Sequence, residues 1–205
     1  MQQQEHPARG KEATRQRIVE AAIGVFAEKG YHDAVVDEIV RASGTSKGAF
    51  YFHFPSKEEI FFALIEGLAT RLAGSVDEAI AREGGGVARV DAALQAAFRT
   101  ISHHRKLAKI LLVHTAGLGH PFDRRLMEIH GRFAQLIKAH LDRAVASGDI
   151  PSVDTEVAAY AWLGAVNELV IRWLHTGSPP DLESLLPDLR ALLLRSLGVT
   201  VRPVA

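Results

Sequence analysis

Cysteine is absent from this chain of 205 residues, which can therefore form neither a disulfide framework nor a thiolate metal site. A reducing cytoplasm is the expected location. The leading Met-Gln-Gln-Gln-Glu-His-Pro lacks the apolar stretch of a secretory signal and reads as a disordered tip. No apolar run approaches the ~20 residues that span a bilayer. Net charge is missing as well: 24 basic side chains balance 24 acidic ones, whereas nucleic-acid-binding domains are often strongly basic. There is no Gly-Lys-Ser/Thr phosphate loop, nucleophile elbow, His-Glu-x-x-His or dinucleotide fingerprint. Histidines invite a metal reading, but His103 and His104 diverge on a helix, His114 and His120 flank a loop, and His130 and His140 do not share a face. No carboxylate or cysteine completes a ligand set. The expectation is no catalytic residue, no metal, no cofactor and no enzyme.

Alternation of the strand type is also lacking, while apolar residues recur at helical spacing almost throughout. The fold class expected is all-α. A first helix over Thr14–Lys29 carries Ile18, Ala21, Ala22, Val25 and Phe26 as one stripe and is stopped by Gly30. A short helix over Val36–Ala42 follows, then a Ser43-Gly44 turn and a third helix with Ser46 as its cap. Pro55 ends the third helix, and Ser56-Lys-Glu-Glu59 opens a long fourth one as a capping box. Gly84-Gly-Gly86 breaks the chain. Further helices are predicted over Val87–Ser102, Arg105–Thr115, Asp123–Ala146, Thr155–Leu174 and Asp181–Leu197. Pro187 should kink the last of these or split off its first turn.

The most specific stretch is Gly44 to Lys57, Gly-Thr-Ser-Lys-Gly-Ala-Phe-Tyr-Phe-His-Phe-Pro-Ser-Lys. It encodes a two-turn helix between a glycine boundary and a proline boundary. Phe50 and Phe54, four apart, face the core, while Lys47, Gly48, Ala49, Tyr51 and His53 face outward. With the preceding short helix and glycine turn, this reads as the second half of a helix-turn-helix. Lys47 at the tip can donate to guanine O6/N7 or to a phosphate. Gly48 permits close approach, and the Ala49 methyl can touch a thymine methyl. Thr45 and Ser46 offer hydroxyls and helix-start amides to a phosphate. Phe52 is either an exposed aromatic beside DNA or a partial core filler. Arg9, Lys11, Arg15 and Arg17 form a basic leading arm, read either as backbone contacts or as solvated charge. Eight cations between Arg9 and Lys57 face six carboxylates, so the salt dependence of binding should be mild.

Thr14-Arg-Gln-Arg-Ile-Val-Glu-Ala-Ala, Phe26-Ala-Glu-Lys-Gly-Tyr31 and the run from Gly44 to Glu59 together resemble the TetR family of one-component bacterial repressors. The resemblance implies an N-terminal helix-turn-helix followed by a ligand-binding block that dimerises through its last two helices. It places Tyr51, His53 and Lys57 at phosphate-clamping positions, with plain surface residues as the alternative for the first two. Thr14 could hold another phosphate. The chain departs from the family pattern where Ala34-Val-Val36 replaces the usual Ser or Thr at the start of the second helix, leaving Asp33 as the candidate cap. The domains expected are a helix-turn-helix module over 9–57 and an effector and dimerisation block over 58–205. The long fourth helix would join them without a flexible linker.

In the larger block, Leu107, Ile110, Leu111, Leu112 and Val113 make one helix apolar on nearly every side. Leu126, Ile129, Phe133, Leu136 and Ile137 line a face of the next. The resemblance implies an effector cavity between these walls, although a filled core gives the same pattern. Thr155–Leu174 mixes alanines and glycine with Tyr160, Trp162 and Trp173, and the last helix carries more leucines than one face needs. The two read as a homodimer interface, with burial inside one chain as the alternative. Leu111, Phe133, Ile137, Asn167 and Arg172 are the effector candidates, with Glu168 and Arg172 spaced as an i,i+4 pair. The run from Gly164 to Trp173 resembles that of fatty acyl-CoA-sensing members, and Arg105, Lys106, Lys109, Arg124 and Arg125 are available to a phosphate head. The function expected is a repressor that binds a palindromic operator as a homodimer and is released by an apolar or amphipathic effector. An activator, a ligand-independent DNA-binding protein and a helical enzyme are the rival readings.

Overall fold

The structure is a computed structural model that describes residues 7–114 and 118–199, with side chains from Gly10 onward. The N-terminal tip, the Arg9 side chain, Thr115 and Gly117 of the sequence reading lie outside the described residues. The helices in chain order are α1 (Pro7–Asp33), α2 (Val36–Ser43), α3 (Lys47–His53), α4 (Lys57–Ala81), α5 (Gly86–His103), α6 (Arg105–Leu112), α7 (His120–Ala146), α8 (Thr155–Thr176) and α9 (Leu186–Ser196). A 3-10 turn over Leu182–Leu185 precedes α9. The described residues include no strand, and none of their helices is long and apolar enough to cross a membrane.

Local chemistry explains where the helices stop. Gly30 adopts φ 76°, ψ −176°, so α1 is broken there and only a short turn follows. Gly44 takes the left-handed conformation (φ 61°) that reverses the chain between α2 and α3, and its amide caps the Arg41 carbonyl. Asp154 caps α8 by accepting from the amides of Glu156 and Val157 at 3.1 and 3.0 Å. Pro187 sits in the first turn of α9 and separates it from the 3-10 turn, the second of the two outcomes expected of it. One expectation fails: Asp33 closes α1 and caps nothing in α2. Val35 stands at that start, and the Glu38 carboxylate reaches back to its amide.

The chain divides into two units. The first holds α1 to α3, α4 as far as Leu68, and α6 from Lys106. Its core contains Ile18, Ala22, Phe26, Ile39, Phe50, Phe61 and Ile110, all fully buried. Phe26 meets the Phe61 ring edge-on at 5.1 Å, and its carbonyl lies 3.1 Å from His114 Nδ1. The sequence reading counts α6 with the larger block; by contact, its residues from Lys106 fall in the first unit.

The second unit holds α4 from Ala69, α5, α7, α8 and α9 with its 3-10 turn. Here α8 packs along α7, and α5 packs against α9. Asp91 of α5 pairs with Arg190 of α9 at 2.6 Å, and burial still holds that carboxyl above its usual range. Trp162 Nε1 donates to Ser196 Oγ at 3.1 Å, tying α8 to α9. Phe98, Ile129, Val170 and Leu182 form the centre of this core.

Replacing Phe26 by alanine should cost about 3–5 kcal/mol of stability, since a fully buried ring leaves a cavity that its neighbours fill only in part. Urea denaturation measures this, and a loss under about 1 kcal/mol would contradict the packing described. A second expectation concerns acid. Burial lowers the pKa values of His130, His104 and His140 below that of an ordinary histidine, and cationic neighbours add to the effect for the last two. The folded chain therefore binds fewer protons than the unfolded one once pH drops below ~6.5, and stability declines with it. Melting temperature should fall between about pH 7.5 and about pH 5.5, and His130→Leu should flatten the fall.

Candidate nucleic-acid interface

A helix as short as α3 is held by its ends and its buried side. Ser46 Oγ accepts from the Ala49 amide at 3.1 Å, which fixes the first turn. Phe50 is fully buried and Phe54 nearly so, their rings 6.2 Å apart. The opposite side is turned to solvent. Lys47 and Gly48 are exposed, Ala49 is half-buried, and Tyr51 is 46% exposed with its ring edge on Phe50 at 5.3 Å. A Cβ at Gly48 would meet only Ser46 Oγ at 3.8 Å, so nothing inside the protein demands glycine there. Phe52 is 66% exposed, which decides between its two readings: it is a surface aromatic. His53 is half-buried beside it, the rings 5.1 Å apart.

Two of the leading cations, Lys11 and Arg15, rest on rings at this helix and its end. Lys11 Nζ sits 4.5 Å above the Phe52 ring and the Arg15 guanidinium 5.2 Å above Phe54. A cation held on an aromatic face keeps its charge available to a phosphate. Thr14 lies about two turns inside α1 rather than at its start, and its hydroxyl donates to the Gly10 carbonyl at 2.9 Å. The Thr45 hydroxyl is 2.7 Å from that of Ser43, half-buried at the turn. Lys47 Nζ pairs with Asp37 of α2, a bond that raises the pKa of the lysine.

Lys57 is placed differently from a free phosphate clamp. Its ammonium donates to the carbonyls of Tyr31, Ala34 and His32 at 2.7, 2.9 and 3.4 Å, and lies 4.3 Å from the Tyr31 ring centre. Burial lowers its pKa. Its three protons thus close the junction between α1 and α2, where Gly30 has interrupted the helical ladder. Sequence spacing of 23 to 26 residues gives no hint of such a contact.

The effector candidates are dispersed. Leu111 is buried in the first unit. Phe133 and Ile137, one turn apart on α7, are half-buried in the second, as is Asn167 of α8, while Arg172 is exposed. Glu168 and Arg172 both point to solvent and do not pair, so the i,i+4 ion pair expected on α8 is absent. The Arg105 guanidinium instead lies 4.4 Å over the Trp173 ring. Ser102 Oγ, His130 Nε2 and Trp173 Nε1 are buried with no hydrogen-bond partner among the described residues. No sequence signal marks these three. On α8, Val157, Tyr160, Ala161 and Gly164 form an exposed stripe at helical spacing, and α9 exposes Leu192. Among the described residues no three His, Asp or Glu side chains gather as a metal site would require.

Residues 18–64 match the model described as "Bacterial regulatory proteins, tetR family", and residues 83–197 match one described as "Tetracyclin repressor-like, C-terminal domain". The chain is 31% identical to the HTH-type transcriptional regulator SrpR of Pseudomonas putida over 80% of its own length and 77% of that protein. It is 22% identical to the fatty acid metabolism regulator protein of Bacillus subtilis, over 88% and 94% of the two chains. Its fold is similar to that of the transcriptional regulator FadR from Bacillus subtilis in complex with stearoyl-CoA, with a TM-score of 0.81 at 23% identity, covering 87% of this chain and 96% of that one.

The bonding of Lys57 makes a contrast measurable. Lys57→Met should lower stability by about 1–3 kcal/mol, because it strands carbonyls that a charged donor now satisfies. Lys47→Met, at an exposed pair, should leave the denaturation midpoint unchanged. Equal midpoints for both variants and the wild type would show that the Lys57 contacts hold nothing together.

Proposed function

This chain belongs to the TetR family of bacterial transcriptional regulators, and on that premise we propose that it is a homodimeric cytoplasmic repressor, released from a near-palindromic operator by an apolar or amphipathic effector. The observation that carries the DNA-reading half is α3 itself, with two phenylalanines buried beneath it and Lys47, Gly48 and Tyr51 turned outward. In this reading Lys47, Gly48 and Ala49 enter the major groove. Thr45, Ser46, Tyr51 and His53 hold phosphates, with Lys11 and Arg15 adding charge at the flank. Thr14 joins them by exchanging its bond to Gly10. Lys57, its protons already taken, acts on the backbone through its field alone.

Residues 9–57 carry the DNA-reading role and 58–205 the effector and dimer roles. The exposed stripe of α8 and Leu192 of α9 support a two-fold interface through these helices, because stripes of this kind on neighbouring helices pair into a four-helix bundle. Two copies of α3 would then lie about 34–36 Å apart, one turn of duplex, or somewhat more. For the effector, the stearoyl-CoA complex of the Bacillus subtilis regulator favours a fatty acyl-CoA. The acyl chain would lie against Phe133 and Ile137 with Asn167 and Arg172 toward its polar end. The unpartnered groups of Ser102, His130 and Trp173 are donors or acceptors that a thioester head could satisfy. Release is linkage: the effector prefers a conformer whose two α3 helices no longer match the operator, and a coupling of about 1–3 kcal/mol changes affinity from about fivefold to over a hundredfold.

A mobility shift with an operator selected from a random duplex pool tests this reading. Lys47→Ala and Tyr51→Ala should each weaken binding at least about tenfold while remaining folded dimers. Stearoyl-CoA should release the wild type. Tyr160→Glu should yield monomers in sedimentation and lose the operator. Unchanged affinity in the first two variants would remove α3 as the reading element, and release by no acyl-CoA would remove the effector class.

A further inference from the structure

Asp37, in the first turn of α2, puts a carboxylate on the same exposed face as the tip of α3, where a phosphate backbone would repel it. It is not idle: its Oδ1 lies 2.7 Å from Lys47 Nζ, with the two side chains 62% and 59% exposed. An isolated lysine is a point charge that accepts any phosphate or guanine. A lysine and an aspartate held side by side form a donor and an acceptor at a fixed separation. After pairing, the ammonium keeps two N–H groups and the carboxylate keeps its second oxygen.

That separation matches a feature of duplex DNA. In the major groove of a G·C pair, guanine O6 and cytosine N4 are joined by one hydrogen bond, so they stand about 2.9 Å apart. Guanine O6 and N7 accept, and the cytosine N4 amino group donates. Resting on the proposed DNA-binding role, we propose that Asp37 and Lys47 act as a single reading unit that selects one G·C pair in each operator half-site. Lys47 donates to guanine O6/N7 while Asp37 accepts from cytosine N4–H, and their mutual bond closes the ring. An A·T pair offers an acceptor and a donor at similar spacing but fails on both flanks. Adenine N7 sets a lone pair against the carboxylate, and the thymine methyl crowds the ammonium. Because the two side chains come from different helices, the unit also distinguishes G·C from C·G. Away from such a pair the carboxylate cancels the lysine's charge, so Asp37 suppresses binding to arbitrary sequence.

The test is base selection by the full-length protein from a randomised duplex pool, followed by affinity measurements at fixed salt on the selected sequence and its single-base variants. Wild type, Asp37→Asn, Asp37→Ala, Lys47→Met and the Asp37→Ala/Lys47→Met double variant are compared, each checked by thermal melting. One G·C position per half-site should be preferred at least about tenfold by the wild type. Asp37→Ala and Lys47→Met should relax that same position, and the double variant should lose no more discrimination than either alone. Asp37→Asn should move it toward A·T, since an amide pairs with adenine N6/N7. If the Asp37 variants keep every base preference and only bind all DNA more tightly, the inference is overturned and Asp37 is merely repulsive. Relaxation at different positions overturns it as well. A wild type that enriches no sequence would instead bring down the DNA-binding reading, and this inference with it.

Discussion

A helix of seven residues has no stability of its own in water, so α3 persists only through what lies beneath and beside it. Phe50 supplies most of this, fully buried on the side opposite Lys47 and Gly48. Ser46 binds the first turn, and Gly44 sets the angle at which the helix leaves α2. Below, Phe26, Tyr31 and Phe61 join α1 to α4 through ring contacts of 4.9 to 6.1 Å. The outward face is therefore a consequence of the core. Positions with no conceivable contact to DNA determine whether the contact residues are presented at all.

Charge in this module is spent on short internal contacts. Lys29 binds Glu38, Lys47 binds Asp37, and Lys57 is consumed by carbonyls at the broken end of α1. Exposed pairs of this kind add little stability. Lys11 and Arg15 keep usable charge beside α3 by resting on the Phe52 and Phe54 rings. A neutral composition is thus compatible with DNA binding, because Lys11 and Arg15 are held at the edge of α3.

Much of this was legible in the sequence, and the limits have physical causes. Periodicity and punctuation located the α-helices of the described residues, and Gly30, Gly44, Ser46 and Pro187 act as their chemistry dictates. Helix ends were less legible: α1 begins at Pro7, ahead of any apolar periodicity, so Thr14 lies within it. Contacts between distant residues were not legible. Nothing local reveals that Lys57 reaches back to Tyr31 and Ala34, or that His114, just beyond α6, meets the Phe26 carbonyl of α1. An apolar stripe states that a helix is buried without naming its neighbour. The i,i+4 spacing of Glu168 and Arg172 permits a pair, but solvent competes for both groups and the pair does not form. For the site residues, the outward orientation of α3 followed from the positions of Phe50 and Phe54. The bonds that Thr14, Thr45 and Lys57 already make did not.

Near-neutrality also bears on how a repressor of the proposed kind is released. Long-range attraction to phosphates changes little when a module shifts by an ångström, since the screening length is about 8 Å at physiological salt. Hydrogen bonds to base edges behave otherwise and weaken steeply as distance and angle leave their narrow range. A strongly basic module would keep much of its affinity after its two copies lost the correct spacing. One whose eight cations face six carboxylates depends more on contacts of the second kind. A modest change in the separation of the two α3 helices then removes most of what binds it, and an effector with about 1–3 kcal/mol of preference is enough. The scarcity of net charge, which first argues against nucleic acid as a partner, is on this view what makes the complex reversible.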